Sequence, residues 1–388
     1  MAIYKLFPYK DSTVYSFYPQ MNTGIDSIIE ISNINFAVDS YPQVARFLTE
    51  FVQSEIEDVV NNKISGNEWD VNLRCFIATA QGIVESTDLS VHPVAQYWWN
   101  GTGTYLDSPQ VTDGCCWDSP IFSGSSTWSS SGTDSTNHYV TSSYNTTWAG
   151  AGGGSWYYSS SDGTLYAVTQ SFDTRSDKDL NVNVKTVVSE WYSSSLGVDT
   201  SSSLPNYGFI VKWENTVEFS EDTQIQPVMQ FYSVDTNTIY PPQLEFKWKD
   251  FSNVLTGSLT SSIVDTTNLV SSLAENPGEF FPSSINRFRL NVAPKYPQRT
   301  FQTASLFTGT NFLPTASYYA VKDLDTNEFV IDYDTTYTQI SSDGNGNYFD
   351  IYMNGLEPER YYKILIKTNI GGSTLILDDN YYFKVING

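Results

Sequence analysis

The sequence predicts an all-β protein built as two β-sandwich domains in series, and three observations carry that reading. Composition comes first: aromatics make up 15% of the chain, with 27 Tyr and 10 Trp against 4 Met. Aromatic and β-branched side chains suit the pleated, half-buried surface of a sheet. Short apolar runs separated by turn residues supply the second observation. Length is the third, because 388 residues exceed one ordinary domain of about 100–200 residues and suit two.

Taken in order, residues 4–33 read as short strands, with the run 28–31 following the turn Asn22-Thr23-Gly24. Residues 44–51 form the next strand. In 54–64, Ile56, Val59, Val60 and Ile64 recur near every 3.6 residues, which predicts a helix. Strands resume at 71–79 and 86–93. Between Gly101 and Gly163 the chain turns dense in Gly, Ser and Thr, yet it carries Trp117, Trp128, Trp148 and Trp156. Flexible Gly/Ser linkers are poor in Trp, so this stretch reads as a long ordered insertion with its indoles packed under loops. Alternation returns at 180–188, 209–213, 228–232 and 244–248.

A Ser/Thr/Asn/Pro-rich stretch, 251–282, reads as an interdomain linker between a first domain at 1–250 and a second at 283–388. The second domain offers seven strand-like runs, at 286–292, 316–322, 328–333, 348–353, 360–368, 373–377 and 381–385. Such spacing, with turns such as Asp343-Gly344-Asn345-Gly346, predicts a small Ig-like sandwich.

Charge and cysteine usage narrow the function. Charged residues are only 16% of the chain, yet 43 acidic side chains face 20 basic ones, for a net charge of −23. That field repels nucleic acid, whose binding needs clustered Lys and Arg, and no nucleic-acid partner is expected. No apolar run approaches the ~20 residues of a membrane helix, so no membrane insertion is expected. Cys75, Cys115 and Cys116 make no disulfide framework, and the expected compartment for folding is a reducing cytosol. Residues 1–18 lack a cationic start followed by an apolar run, so no signal peptide is expected. A virion would carry such a protein outside the cell without secretion.

No catalytic motif emerges. His92 and His138 stand apart from any metal-binding spacing, and Cys115-Cys116 lacks the C-x-x-C form of a zinc or redox site. The chain has no G-x-S-x-G, P-loop or dinucleotide fingerprint. Forty-three carboxylates guarantee chance pairs, so no glycosidase pair is assigned. The expectation is a non-enzyme with no catalytic, cofactor-binding or metal residue. Asp173, Asp177 and Asp179, or Asp343 with Asn345 and Asn347, offer oxygen donors for calcium. The second set lacks the distal Glu of a calcium loop, and a hairpin turn accounts for it.

Six phrases, arriving in one order over residues 8–250, resemble the DNRLRE-type jelly-roll domain. They are Asp11-Ser12-Thr13-Val14 with Asn22-Thr23-Gly24; the strand 44–51, without the family's usual final Asp; and Ser90-Val91-His92-Pro93-Val94 leading to Trp98-Trp99-Asn100-Gly101-Thr102-Gly103. Thr112-Asp113-Gly114-Cys115-Cys116-Trp117, the run 180–188 with Trp191 and Asn206-Tyr207-Gly208-Phe209, and the closing strand from Tyr240-Pro241-Pro242 complete the set. The later of these phrases, with Arg299-Thr300-Phe301, Asp334-Thr335-Thr336-Tyr337 and Pro358-Glu359-Arg360-Tyr361-Tyr362 of the second domain, are similar to virion proteins of large tailed phages, notably myophages of marine cyanobacteria. The resemblance implies a jelly roll for the first domain. It also implies a virion structural protein of neck, tail, baseplate or capsid surface, assembled with other virion proteins as a homo-oligomer in a symmetric ring. The alternative is a carbohydrate-binding attachment protein directed at host glycans, with Trp98, Trp99 and Trp156 as an exposed platform. Physically, Trp98, Trp191 and Trp248 read as hydrophobic plugs whose indole N–H groups reach backbone acceptors.

Overall fold

The computed structural model describes residues 2–34, 43–83, 86–122, 126–128, 138–139, 152–159, 163–195, 204–218, 227–253, 269–274, 276–296, 311–370 and 373–387. Its architecture is all-β, with antiparallel sheets that account for nearly all regular structure. The chain forms two compact units, Leu6–Asn62 with Val71–Glu245, and Met1–Lys5 with Lys63–Asp70 and Phe246–Gly388. The second unit thus includes the N-terminal residues and a short internal segment, and its C-terminal stretch starts at Phe246, where the sequence reading starts the second domain at 283.

The chain opens with β1 (Ala2–Leu6), β2 (Lys10–Tyr15), β3 (Ile28–Ile34), β4 (Gln43–Glu50) and α1 (Gln53–Asp58), which runs on into a π-helical turn at Val59–Lys63. Of the four apolar positions whose spacing predicts this helix, Ile56 and Val59 are buried, while Val60 and Ile64 are only half-buried and Ile64 lies past its end. Next come β5 (Trp69–Cys75), β6 (Ile77–Gln81), β7 (Thr87–Pro93), β8 (His138–Tyr139), β9 (Trp156–Tyr157), β10 (Val168–Phe172) and β11 (Leu180–Asn183). Then follow α2 (Lys185–Ser195), β12 (Phe209–Trp213), α3 (Asn215–Glu218), β13 (Val228–Tyr232) and β14 (Gln243–Trp248).

The large sheet of the first unit has the order β10–β7–β12–β4–β3–β13–β6, with β2 also paired to β4. Every residue of β12, Phe-Ile-Val-Lys-Trp, is buried, as befits a central strand covered on both faces. β11 pairs with β5 in a different sheet, Leu180 opposite Cys75. There, burial alternates with period two through Val71, Leu73 and Cys75. The expected single strand at 71–79 is two strands broken at Phe76, because β6 leaves that sheet and pairs with β13.

The run 180–188 also departs from expectation. Only its first four residues are extended, and α2 takes the rest. Val184, Val187, Val188 and Trp191 are buried, a spacing of three to four residues that lays one helical face on the core. The Trp191 ring lies 4.7 Å from that of Phe209 on β12.

The second unit contains β15 (Leu269–Ala274), β16 (Glu279–Phe280), β17 (Ile285–Pro294), β18 (Ser317–Asp323), β19 (Phe329–Ile331), β20 (Ser341–Asp343), β21 (Gly346–Tyr352), β22 (Tyr361–Ile370) and β23 (Ser373–Val385). One sheet runs β15–β17–β21–β20 and the other β16–β23–β22–β18–β19. Their inner faces share one core, in which Phe288 meets Phe383 at 5.7 Å and Tyr319 stacks on Phe349 at 4.4 Å.

Two expectations for this unit are corrected. Residues 269–274 and 279–280, inside the expected linker 251–282, are β15 and β16, paired with β17 and β23. The rest of that stretch from 254 to 268 lies outside the described residues, as does Arg299-Thr300-Phe301. The expected strands 373–377 and 381–385 are one strand, β23, whose register against β22 jumps from Leu377 opposite Ile366 to Tyr381 opposite Ile364. Asn380 absorbs the extra length of this bulge at φ +58°.

Truncating Phe288→Ala should therefore remove a ring that touches both sheets and cost roughly 3–5 kcal/mol in urea unfolding. Phe281→Ala, at a ring 56% exposed, should stay within about 0.5 kcal/mol.

Candidate functional site

Three of the resemblance-bearing phrases converge on one side chain. Asn22 is buried just beyond β2. Its Nδ2 donates to the carbonyls of Asn100 (2.6 Å) and Cys115 (2.9 Å). Its Oδ1 accepts from the backbone N–H groups of Gly24 (3.1 Å) and Gly103 (2.9 Å). Asn100 returns a bond from its own Nδ2 to the Gly24 carbonyl at 2.5 Å. Backbone must approach very closely for this: a Cβ on Gly101 would lie 2.3 Å from Asn22 Oδ1, and one on Gly114 2.4 Å from Asn22 Nδ2. Glycine is the residue that allows such approach. The hub straps the loops 98–103 and 111–117 over the sheet.

Three cations of this unit, Lys10, Arg46 and Lys212, are spent internally. Lys10, at the start of β2, donates to the Trp98 carbonyl (2.7 Å) and pairs with Glu50 (2.9 Å). Its ammonium sits 4.1 Å from the centre of the Trp98 ring. Deeper, Arg46 of β4 makes a bidentate pair with Glu218 at 2.7 and 3.0 Å, and Lys212 of β12 reaches the same carboxylate at 3.0 Å. Arg46 Nη1 also donates to the Gly153 carbonyl at 2.6 Å. The Trp117 and Trp156 rings flank the guanidinium at 4.9 and 5.1 Å. Burial alone would push the Glu218 carboxyl up, but the Arg46 and Lys212 charges outweigh it and hold it below the usual range.

Neighbouring ionisable groups are correspondingly silent. Burial, with the Lys212 charge beside it, lowers His92 to about 3, which keeps the imidazole neutral. Its Nε2 lies 3.2 Å from Ser90 Oγ. All three cysteines are free and buried, and burial raises the Cys115 thiol to about 12, far from a reactive thiolate. For His138 only the backbone pairing of β8 with β9 is described.

The expected calcium donors are engaged locally. Asp173 Oδ1 accepts the N–H groups of Arg175 and Ser176 (2.7 and 2.6 Å), and Asp179 accepts from Ile77 N (2.9 Å). Asp343 holds a bidentate pair with Arg289 at 3.0 and 2.8 Å and caps Asn345 N at the β20–β21 turn. Asn347 Oδ1 accepts from Leu313 N.

The tryptophans divide differently from the expected platform. Trp98 and Trp156 are buried, and only Trp99 of those three, 54% exposed, faces solvent. Trp98 behaves as the plug its position predicts, with Nε1 donating to the Tyr207 carbonyl at 2.9 Å, whereas Trp191 is buried with no acceptor for its Nε1 among the described residues. Trp117 and Trp128 are buried, and Trp128 Nε1 donates to the Cys116 carbonyl at 2.9 Å. Trp148 lies outside the described residues.

No sequence pattern marked a ladder of rings beside the hub that runs from half-buried Tyr15 out to the surface. Tyr15 meets Tyr105 at 5.2 Å, Tyr105 meets Tyr18 at 6.2 Å, and Tyr18 meets Phe17 at 4.7 Å. Phe17, Tyr105 and Leu106 are exposed. Their 90-residue separation left no local pattern to find.

Glu218→Gln should leave two buried cations without their counter-charge and cost roughly 3–5 kcal/mol in chemical unfolding. Arg287→Gln, which breaks an exposed pair with Asp350, should cost about 1 kcal/mol or less. Asp11 supplies a pH test. Its carboxylate accepts Val234 N–H at 2.7 Å, and burial raises it to about 8. The folded chain keeps a proton that an ordinary carboxyl of pKa ~3.9 releases in the unfolded chain. This contribution to stability is complete below about pH 4 and declines as pH climbs through 8. Asp11→Asn should flatten that decline, gaining on the native protein in urea midpoint from pH 5 to pH 8.5.

No protein-family model matches the chain, and no curated protein does. Among solved structures, a DUF4785 family protein from Legionella pneumophila aligns over 98% of this chain at 7% identity and a TM-score of 0.17. This chain spans 66% of that protein's length, and a likeness so slight carries no argument.

Proposed function

We propose that the chain is a structural component of a tailed-phage particle, at the neck, tail, baseplate or capsid surface, working through protein–protein assembly. The supporting observation is the contrast between the interior and the hub-mounted loops of the first unit. Inside, Arg46, Lys212, Glu218, Lys10 and Glu50 satisfy one another. Outside, Phe17, Tyr97, Trp99, Tyr105 and Leu106 are exposed on loops fastened around Asn22. Aromatic groups held on a rigid frame provide contact area at low entropic cost, which is how interfaces gain affinity. The resemblance to virion proteins suggests the particle, and closed symmetry suggests a homo-oligomeric ring within it. Mass spectrometry of gradient-purified particles should find the chain at a constant copy number across preparations, and particles lacking it would end this reading.

A second reading, attachment to host glycans, is favoured by Trp99 alone of the expected platform. Its backbone is pinned by bonds from Trp99 N to the Pro120 carbonyl (2.9 Å) and from Cys115 N to its own carbonyl (2.7 Å). That leaves the indole fixed and open for stacking on a sugar ring. On a glycan array this reading expects binding that Trp99→Ala abolishes, and a blank array at high protein concentration removes it.

A further inference from the structure

We propose that the Tyr15–Tyr105–Tyr18–Phe17 ladder is the docking surface for an arginine-bearing segment of another protein; this rests on the assembly reading and names the chemistry of one partner. The surface is built rather than incidental. Residues 104–107 form a tight turn in which Thr104 N donates to Asp107 Oδ2 at 2.7 Å and Asp107 N to the Thr104 carbonyl at 3.2 Å. Tyr105 N donates to Asp26 Oδ2 at 2.9 Å. The preceding Gly103 is bonded to Asn22, so the turn stands on the hub. Leu106, 88% exposed, projects from its tip. Four hydrogen bonds fix the turn that carries this exposed apolar side chain beside the rings.

Charge selects the partner. Asp26 and Asp107 lie within the turn's own hydrogen bonds, and the charge of Glu30 bears on both Tyr15 and Tyr105, adding to the effect of burial in raising the two phenols. Among the described residues none of the three carboxylates has a cationic partner. They accept only from neutral groups: Asp26 from Tyr105 N, Asp107 from Thr104 N, and Glu30 from the Gln230 amide at 2.8 Å. Elsewhere in the chain, the same chemistry is already complete. Arg287 lies 4.2 Å over the Tyr348 ring while both its Nε and Nη2 bond Asp350 at 2.8 Å. The ladder presents the tyrosine and carboxylate halves of that arrangement with the guanidinium missing. A planar guanidinium lies flat on a ring while its edge bonds both oxygens of a carboxylate, a two-pronged geometry that the point charge of a lysine ammonium lacks. A second copy meeting the ladder with this same face is a poor occupant, since it would set Asp26, Glu30 and Asp107 against their own like.

The test titrates the full chain, at low ionic strength, with a capped decapeptide alternating Arg and Ser, beside Lys/Ser and Glu/Ser versions. Binding is read by calorimetry, and the site by hydroxyl-radical footprinting. The Arg peptide should bind, protect Tyr105 and Leu106, and weaken about tenfold or more on the Lys replacement. Asp26→Asn with Glu30→Gln keeps a side-chain oxygen to accept the Tyr105 backbone N–H and should weaken binding at least about tenfold. Asp332→Asn, in the other unit, should change nothing. Tyr105→Ser with Leu106→Ser, checked for native unfolding, should abolish the calorimetric binding of the Arg peptide. Equal binding of Arg and Lys peptides, equal loss with Asp332→Asn, absence of Arg-peptide binding, protection of the ladder by self-association, or protection by a neutral oligosaccharide would each overturn the proposal. None of these results alters the particle mass spectrometry, which judges the assembly reading separately.

Discussion

Four backbone groups from three chain segments meet at the carboxamide of Asn22, which supplies two acceptors' worth of donors and a shared acceptor in a buried place. Unpaired, those peptide groups would each cost about 1–3 kcal/mol of desolvation. Paired, they hold the loops 98–103 and 111–117 against the sheet without a disulfide or a metal. Much else in the first unit follows from that restraint. Trp98 can drop its ring beneath Lys10 and bond Tyr207, Cys115 is sealed from solvent, and the 104–107 turn gains a fixed base.

Electrostatics then divides the molecule into a neutralised interior and an anionic exterior. The chain has only 20 Lys and Arg, yet Lys10, Arg46 and Lys212 lie buried against Glu50 and Glu218. A buried pair gains little net stability over an apolar equivalent, because desolvating the ions offsets most of the attraction. Its value here is one of position: a bidentate Arg46–Glu218 pair joins residues 172 apart in sequence and ties β4 to the α3 turn. Using cations inside leaves acidic loops outside, and those loops carry the exposed rings.

Regular alternation was legible where burial followed it. The run 228–232 is β13, buried at alternate residues, while the run 209–213 is β12, buried throughout because both its faces are covered; the core side of the second unit draws on the expected runs. It failed where one pattern served two structures. Leu180 and Val182 alternate as a strand, but Val184, Val187 and Val188 are spaced for a helix, and apolar β-branched residues do not mark the change. In β15 the inward position is filled by Ser271, whose hydroxyl bonds Asp379 and whose carbonyl accepts from Tyr381. A polar core residue satisfied from 108 residues away looks, in sequence, like linker. The site was partly legible. Asn22, the glycines and Trp98 stood in recognisable phrases, whereas the burial of Trp156 and the exposure of the Tyr105 turn had no local signature.

What the amino-acid sequence by itself determined is the all-β class, the turn positions and the identity of the glycines and asparagine that close the hub. These depend on period-two burial and on backbone sterics, which act over a few residues. The tertiary structure alone decided which strands share a sheet, that Met1–Lys5 and Lys63–Asp70 belong with the C-terminal unit, and which rings face water. Those outcomes depend on long-range pairing. Whether an indole such as Trp156 becomes core or platform is set by which distant cation and strand arrive beside it.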